Sequence, residues 1–397
     1  MGIYLNNAAT SWPKPAEVAE AMSKFLLQGG ANLARGANSE RDLETLNFVL
    51  DCRFKLAEFF NSYEDQDPRY ITFCANITES LNIVLRGYSD YIAQRRKAVP
   101  GMKVLTSSME HNAVMRPLRF LEQHGVILKV LPCEPDGFLK PEVLERELKF
   151  NKYDLMVMSH ASNVCGTVQD VERIAEICKL NKLNLVLDTA QTAGVLKLDV
   201  NKLNLAALCF TGHKGLMGPQ GTGGIIWRPD FAAEVTPIIS GGTGSFSHLE
   251  YQPEDLPDKF ESGTPNLPGI AGLNAALTWL NETGIEKIAA REHELGEYFL
   301  NKIKNFKNLK LSGKQDMTGR LAVFSINFDN YDNGVLADEL SRLGFETRPG
   351  LHCSPSAHKT LNTFPAGSLR VSLGYFNNFN EIDKFIDALN KILGADN

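Results

Sequence analysis

The chain has 397 residues, 43% hydrophobic and 22% charged, ordinary globular values that suit one large domain and a smaller one. Its net charge of −6 supplies no general pull toward nucleic acid or an anionic membrane. No apolar run is long enough for a membrane span, and "MGIYLNNAATSWPKP" lacks the basic start and apolar core of a signal peptide. Seven cysteines without a C-x-x-C pair argue against a disulfide framework and a structural zinc site, so a cytoplasmic, metal-free protein is expected.

From about residue 70 to 228, short apolar runs read as buried strands: "RYITFC", "KVLTSS", "VILKVLP", "DLMVMSH", "LNLVLD", "AALCFTG" and "GGIIW". Stretches with helical spacing, "NITESLNIVLRGY" and "VQDVERIAEICKLN", lie between them. This alternation predicts a mostly parallel sheet covered on both faces, with ligands at the carboxyl ends of its strands. The polar residues there are Ser159 and His160, Asp188, and Thr211 to Lys214. The Gly/Ser/Pro-rich section 240–269 reads as long loops. Helices are expected in "IAGLNAALTWLNETG" and "GIEKIAAREHELGEYFLNKIKNF". The tail has strands "RLAVFSINF" and "SLRVSLGY" and helices "NGVLADELSRLG" and "NEIDKFIDALNKILG", the pattern of a small α+β domain. The expected division is 14–280 for the large domain and 281–397, with 1–13, for the small one.

In "FTGHKGLMGPQGTGGIIW", Lys214 is the only charged residue apart from a histidine, among six glycines. A P-loop needs Ser or Thr after its lysine, and Gly215 stands there. A confined lysine has a lowered pKa and serves as nucleophile or Schiff-base amine; a solvated lysine in a glycine-rich turn is the other reading. Asp188, ending a strand, either caps the next turn or holds a protonated heterocyclic nitrogen. His111 is a polar strand end, a ring that stacks on a cofactor, or a proton carrier. "CANITESLN" opens a helix whose free N–H groups suit a phosphate, with Thr78 as a candidate N-cap.

A phosphate-binding helix start, a stacking ring, an acid for a ring nitrogen and a confined lysine are the parts of a pyridoxal 5'-phosphate site. The pieces "SMEH", "SHASNVCGTVQ", "LDTAQTAG", "TGHKGLMGPQGTGG", "SGTPN", "TRPGLHCSP" and "LRVSLGYFN" occur in that order. They resemble the class V aminotransferases of fold type I, and within them the cysteine desulfurase and selenocysteine lyase branch. The resemblance implies an α/β fold, with a large cofactor-binding domain and a smaller α+β C-terminal domain carrying a catalytic-cysteine loop. It implies pyridoxal 5'-phosphate held covalently on Lys214. Asp188 would pair with the pyridine nitrogen, Gln191 would bond the ring oxygen and His111 would stack on the ring. Ile77, Thr78, Thr211 and His213 would contact the phosphate, and Thr264 would reach the phosphate of a neighbouring subunit in a homodimer. Asn163, Arg370 and Arg35 would bind the substrate carboxylate.

Cys353 lies in "RPGLHCSPSAHKTL", beside His352 and close to Arg348. Read locally it is either a buried turn residue or a thiol activated by nearby positive charge. The resemblance makes it the persulfide-forming cysteine of an enzyme that converts L-cysteine to L-alanine and passes sulfur to an acceptor protein or thiol. The loop departs from the two-histidine pattern of its type at Leu351. Ala34 replaces a histidine, and Asn76-Ile77 replaces a Gly-Thr pair. A selenocysteine lyase, another class V lyase or aminotransferase, and a non-catalytic cofactor-binding scaffold are the alternatives.

Overall fold

The computed structural model describes residues 2–31, 33, 39–96 and 101–394. Its strands, in chain order, are β1 (Ile3–Tyr4), β2 (Ile71–Cys74), β3 (Lys103–Ser107), β4 (Ile127–Leu131), β5 (Leu155–Ser159), β6 (Asn184–Asp188) and β7 (Ala207–Thr211). Then follow β8 (Gly223–Trp227), β9 (Leu309–Ser312), β10 (Val323–Phe328), β11 (Phe345–Glu346), β12 (Arg348–Gly350) and β13 (Ser368–Ser372).

All seven apolar runs become strands of one sheet, ordered β2-β8-β7-β6-β5-β3-β4. Alternate side chains enter different cores. Leu155, Val157, Val186, Cys209 and Ile225 join one buried cluster, while Met156, Met158, Leu185, Leu187, Leu208 and Ile226 join another. The central strands β5 to β8 are buried on both faces, which is why their runs show no alternation; β4, expected to be buried, lies at the sheet edge with Ile127 and Lys129 exposed. Each fully buried aliphatic side chain contributes roughly 1.5–3 kcal/mol. The neighbours β7, β6, β5, β3 and β4 are parallel, but β8 runs antiparallel between β2 and β7. Periodicity carries no strand direction, so the sequence did not distinguish β8 from the others.

The tail forms an antiparallel sheet, β12-β13-β10-β9, with its own core around Phe299, Phe324, Phe385 and Leu389. Chain start and tail meet where β1 pairs with β11, and where Asn6 bridges to Ser372. The expected helices are present at Leu267–Thr283, Ile285–Ile303, Asn333–Arg342 and Phe379–Leu393. Most of 240–269 is irregular, and Asn266 caps the helix that follows by accepting from Gly269 N–H. Among the described residues no helix is long and apolar enough to cross a membrane.

Candidate active site

Parallel strands deliver their carboxyl ends to one edge, and β8 begins there, because Gly223 pairs with both Cys74 and Thr211. Gly223 permits this closeness, since a Cβ on it would lie 2.8 Å from the Phe210 oxygen and 2.9 Å from Asn76 Cα. Lys214 follows β7 in a turn pressed against the loop after β6. A Cβ on Gly215 would sit 2.5 Å from the Ala193 oxygen, and Gly194 has φ +87°, so glycine at these positions brings the Asp188 and Lys214 loops together.

Withdrawal from water pushes Lys214 down to about 8, opposed by the charge of Asp188 and reinforced by Arg370 and Arg348. Its Nζ makes no hydrogen bond among the described residues. Its backbone is tied down, with Ser11 Oγ donating to the Lys214 carbonyl at 2.8 Å. Lys14 Nζ donates to the His213 carbonyl at 2.7 Å. Asp188 is buried; burial pushes its pKa up, and it accepts the Ala190 N–H at 2.9 Å. That is the capping contact expected of a strand-end carboxylate, and the Ser159 hydroxyl also bears on the Asp188 carboxyl.

The helix Ile77–Arg96 opens at the same edge. Asn76, not Thr78, is its cap: Asn76 Oδ1 accepts from Glu79 N–H at 3.1 Å, and its carbonyl from Ser80 N–H at 3.1 Å. The N–H groups of Ile77 and Thr78 remain as first-turn donors. Thr78 is exposed, and Thr211 is buried at the end of β7. The buried Nδ1 of His213 has no protein partner.

His111 caps the helix Asn112–Gln123, its Nδ1 accepting Ala113 N–H at 3.0 Å. Nδ1 as acceptor puts the ring proton of the neutral imidazole on Nε2. Burial, then the charges of Lys214, Arg348 and Arg370, push His111 down to about 4, so it is neutral at ordinary pH. Its neighbour Glu110 was seen in the sequence only as part of "SMEH". It is 1% exposed, and burial pushes it up to about 7. Ser107 Oγ donates to one of its oxygens, and Ser159 N–H and Oγ donate to the other at 2.8 Å each. A lone Glu in a loop carries no sequence signal for such burial.

Arg370, on β13, is 1% exposed and lowered to about 9, first by burial and then by Arg348. It donates to the Asn163 carbonyl at 2.9 Å and Asn6 Oδ1 at 2.8 Å, and its Nε has no partner. Asn163 has its side chain turned to the Cys353 loop: Nδ2 donates to the His352 carbonyl at 2.8 Å, and Oδ1 accepts from Ser354 Oγ at 2.7 Å. Cys353 is the one exposed cysteine of seven, with Arg348 3.7 Å from its sulfur. The thiol is near enough to Lys214 and Arg370 for its charge to act on both.

Of the other expected residues, Gln191 lines one small cavity with Lys214. Gln191 donates to the Ala8 carbonyl at 3.1 Å. Thr264 is exposed in the loop before the helix Leu267–Thr283. Arg35 lies outside the described residues. His160, a strand-end candidate, is buried with Nδ1 3.0 Å from Thr192 Oγ1, a structural contact. Among the described residues there is no group of His, Cys, Asp and Glu able to hold a metal ion.

The residues fit a phosphorylated pyridine aldehyde. An unpartnered, partly neutral amine suits the aldehyde carbon, and a buried carboxylate suits the ring nitrogen. Free helix N–H groups and the unpartnered His213 Nδ1 suit the phosphate.

A family model described as Aminotransferase class-V matches residues 3–385. A protein of Methanothermobacter thermautotrophicus named "Probable cysteine desulfurase" is 31% identical, over 99% of this chain and 95% of its own. One of the same name from Pyrococcus abyssi is 30% identical, over 98% and 94%. A solved structure, the apo cysteine desulfurase from Thermococcus onnurineus, superposes with a TM-score of 0.90 at 28% identity, covering 98% of this chain and 94% of that one. The match along nearly the whole chain, together with the strand-end lysine and aspartate, assigns the chain to the class-V aminotransferase family.

Proposed function

We propose that the chain is a pyridoxal 5'-phosphate-dependent cysteine desulfurase, taking sulfur from L-cysteine and leaving L-alanine. The observation that carries this reading is the exposed Cys353 thiol beside Arg348, on a loop bonded to the Asn163 side chain at the strand edge of Lys214. An aminotransferase has no use for that thiol.

Lys214 would carry the cofactor, with Asp188 at the ring nitrogen, His111 on the ring face and Gln191 at the ring oxygen. Ile77, Thr78, Thr211 and His213 would hold the phosphate. When bound, the cofactor supplies a ring that delocalises the charge left when the substrate Cα loses its proton. Lys214 Nζ, its pKa near 8, has enough neutral amine to take that proton. Arg370 offers the unpartnered Nε to the substrate carboxylate, and Asn163 its second amide hydrogen. The Cys353 sulfur, 3.7 Å from the Arg348 guanidinium, would attack the substrate sulfur as its thiolate. The Cβ–S bond breaks and an S–S bond forms on Cys353. Carbon is reduced as sulfur is oxidised, so cysteine plus enzyme thiol equals alanine plus enzyme persulfide, with no outside redox partner. His111 Nε2–H is a donor at hand for returning a proton to carbon. An acceptor protein or small thiol then collects the sulfur.

A homodimer completes the reading. Leu43, Leu46, Leu50 and Phe54 recur on one helix face and are exposed, as are Ile239, Leu249 and Tyr251 in the long loop that leads to Thr264. The division into 14–280 and 281–397 with 1–13 follows the two main sheets. Location in the cytoplasm accords with seven free cysteines.

The test is incubation of pure protein with L-cysteine and, separately, L-selenocysteine, with assay of sulfide, selenide and alanine. Wild type should gain one sulfur on the peptide bearing Cys353. Cys353→Ala should keep cofactor and substrate binding yet make almost no sulfide. Full cysteine turnover by that variant would exclude the desulfurase mechanism.

A further inference from the structure

The Cys353 thiol is exposed, yet the turn that carries it stands on a buried scaffold. His352 and Ser354 are 3% and 0% exposed, and His358, one helical turn on, is 0% exposed. His352 and Cys353 are both left-handed, with φ +50° and +57°. Two consecutive residues with side chains hold this conformation only when their surroundings impose it.

Those surroundings are a directed chain of hydrogen bonds. His352 Nε2 lies 2.9 Å from the Arg348 carbonyl, which only accepts, so Nε2 carries the proton. Burial above all pushes His352 down to about 3 and His358 to about 4, so both rings are neutral. His352 Nδ1 is therefore an acceptor, and His358 Nε2, 3.2 Å away, is its donor. His358 Nδ1 must then accept, and the Thr363 hydroxyl is 2.7 Å from it. The order is Thr363 to His358 to His352 to Arg348. On the other side of the turn, Asn163 holds the His352 carbonyl at 2.8 Å, and Asn112 N–H holds the Cys353 carbonyl at 2.8 Å. The chain ends on the backbone of the residue whose guanidinium faces the sulfur at 3.7 Å.

We infer that His358 is a positioning residue for Cys353: through His352 it pins the Arg348 backbone and holds the left-handed turn that sets the thiol against the Arg348 guanidinium. This rests on reading Cys353 as the sulfur-accepting nucleophile. His358 is buried behind the turn, its two ring nitrogens turned to His352 and Thr363. Its requirement is a donor aimed at His352 Nδ1, which packing alone does not supply. The Arg348 guanidinium keeps its place against the thiol only relative to a fixed turn.

The experiment is native-state alkylation of the full-length protein by iodoacetamide at fixed pH, followed on the Cys353 peptide by mass spectrometry. His358→Phe fills the space but loses both ring nitrogens, and should slow alkylation about tenfold per folded molecule. His358→Gln keeps an N–H near the Nε2 position and should stay within about twofold of wild type. Thr363→Val should fall between them, and it decides the matter if the Phe variant does not fold. A purely structural His358 would lower the melting temperature and leave the alkylation rate of folded protein unchanged. Wild-type alkylation in folded His358→Phe, or in Thr363→Val where Phe fails to fold, overturns the inference; so does a Gln variant as slow as Phe. Persulfide trapping on wild type with L-cysteine tests the desulfurase reading separately: if no sulfur appears on Cys353, that reading falls while the alkylation series still judges His358.

Discussion

Glu110 reaches from the end of β3 to Ser159 at the end of β5, accepting both its N–H and its hydroxyl at 2.8 Å. Ser159 is level with Asp188 in the register of β5 and β6, so two buried carboxyls flank one serine. Burial pushes Glu110 up to about 7, and the charge of Asp188 adds to the rise. A carboxyl with a raised pKa stabilises the fold while protonated, and that stability is lost as pH climbs from about 4.5 through 7. Glu110→Gln cannot ionise and keeps an acceptor for Ser159. Its melting temperature relative to wild type should therefore rise between pH 5 and pH 8. A constant difference across that range would contradict the assignment.

Lys214→Ala should abolish turnover and covalent attachment of pyridoxal phosphate. Borohydride treatment followed by peptide mapping is the measurement. Cofactor reduced onto the variant would identify another lysine, and Lys14, also lowered to about 8 by burial, is the first to inspect.

Asp188→Asn should retain cofactor and lose on the order of two to three powers of ten in rate, because an amide does not keep a ring nitrogen protonated. Occupancy by visible absorption and turnover with L-cysteine are read on the same sample. Full occupancy with wild-type turnover would remove Asp188 from the mechanism.

Thr264→Ala mixed with Lys214→Ala should recover part of the activity lost by each, since one hybrid site then has both native residues. Subunit exchange is verified by mass-labelled chains. Exchange without recovery would place each site within one chain.

Stability below pH 8 should peak near pH 6.5. Burial lowers His111, His160, His213 and His358 to about 4 and His352 to about 3, so stability is full above pH 6.5 and is lost as pH falls toward 4. Glu110, Glu292 (raised to about 8 by burial) and Asp188 work in the opposite sense. The five imidazoles outnumber these carboxyls, so acid unfolding takes up protons on balance and stability falls as pH drops below 6.5. A melting temperature that climbs steadily down to pH 4.5 would show the carboxyls dominate.

The sequence by itself determined which runs are strands, because burial on both faces demands unbroken apolar residues at Leu155–Met158 and Leu185–Leu187. It also marked Lys214 as a candidate, since glycines on both sides of it signal a backbone that approaches another closely, a closeness the structure has at Gly215 and Ala193. Asp188 and Thr211 were legible as polar residues ending such strands. Tertiary structure alone decided that β8 runs antiparallel, because strand direction depends on the path of the connection. It decided that Asn76 rather than Thr78 caps its helix, and that the Asn163 amide bonds the Cys353 loop. Glu110 and the His352–His358 pair gained their properties only there. A carboxyl or an imidazole shifts its pKa through desolvation and through partners distant in the chain, and local sequence records neither.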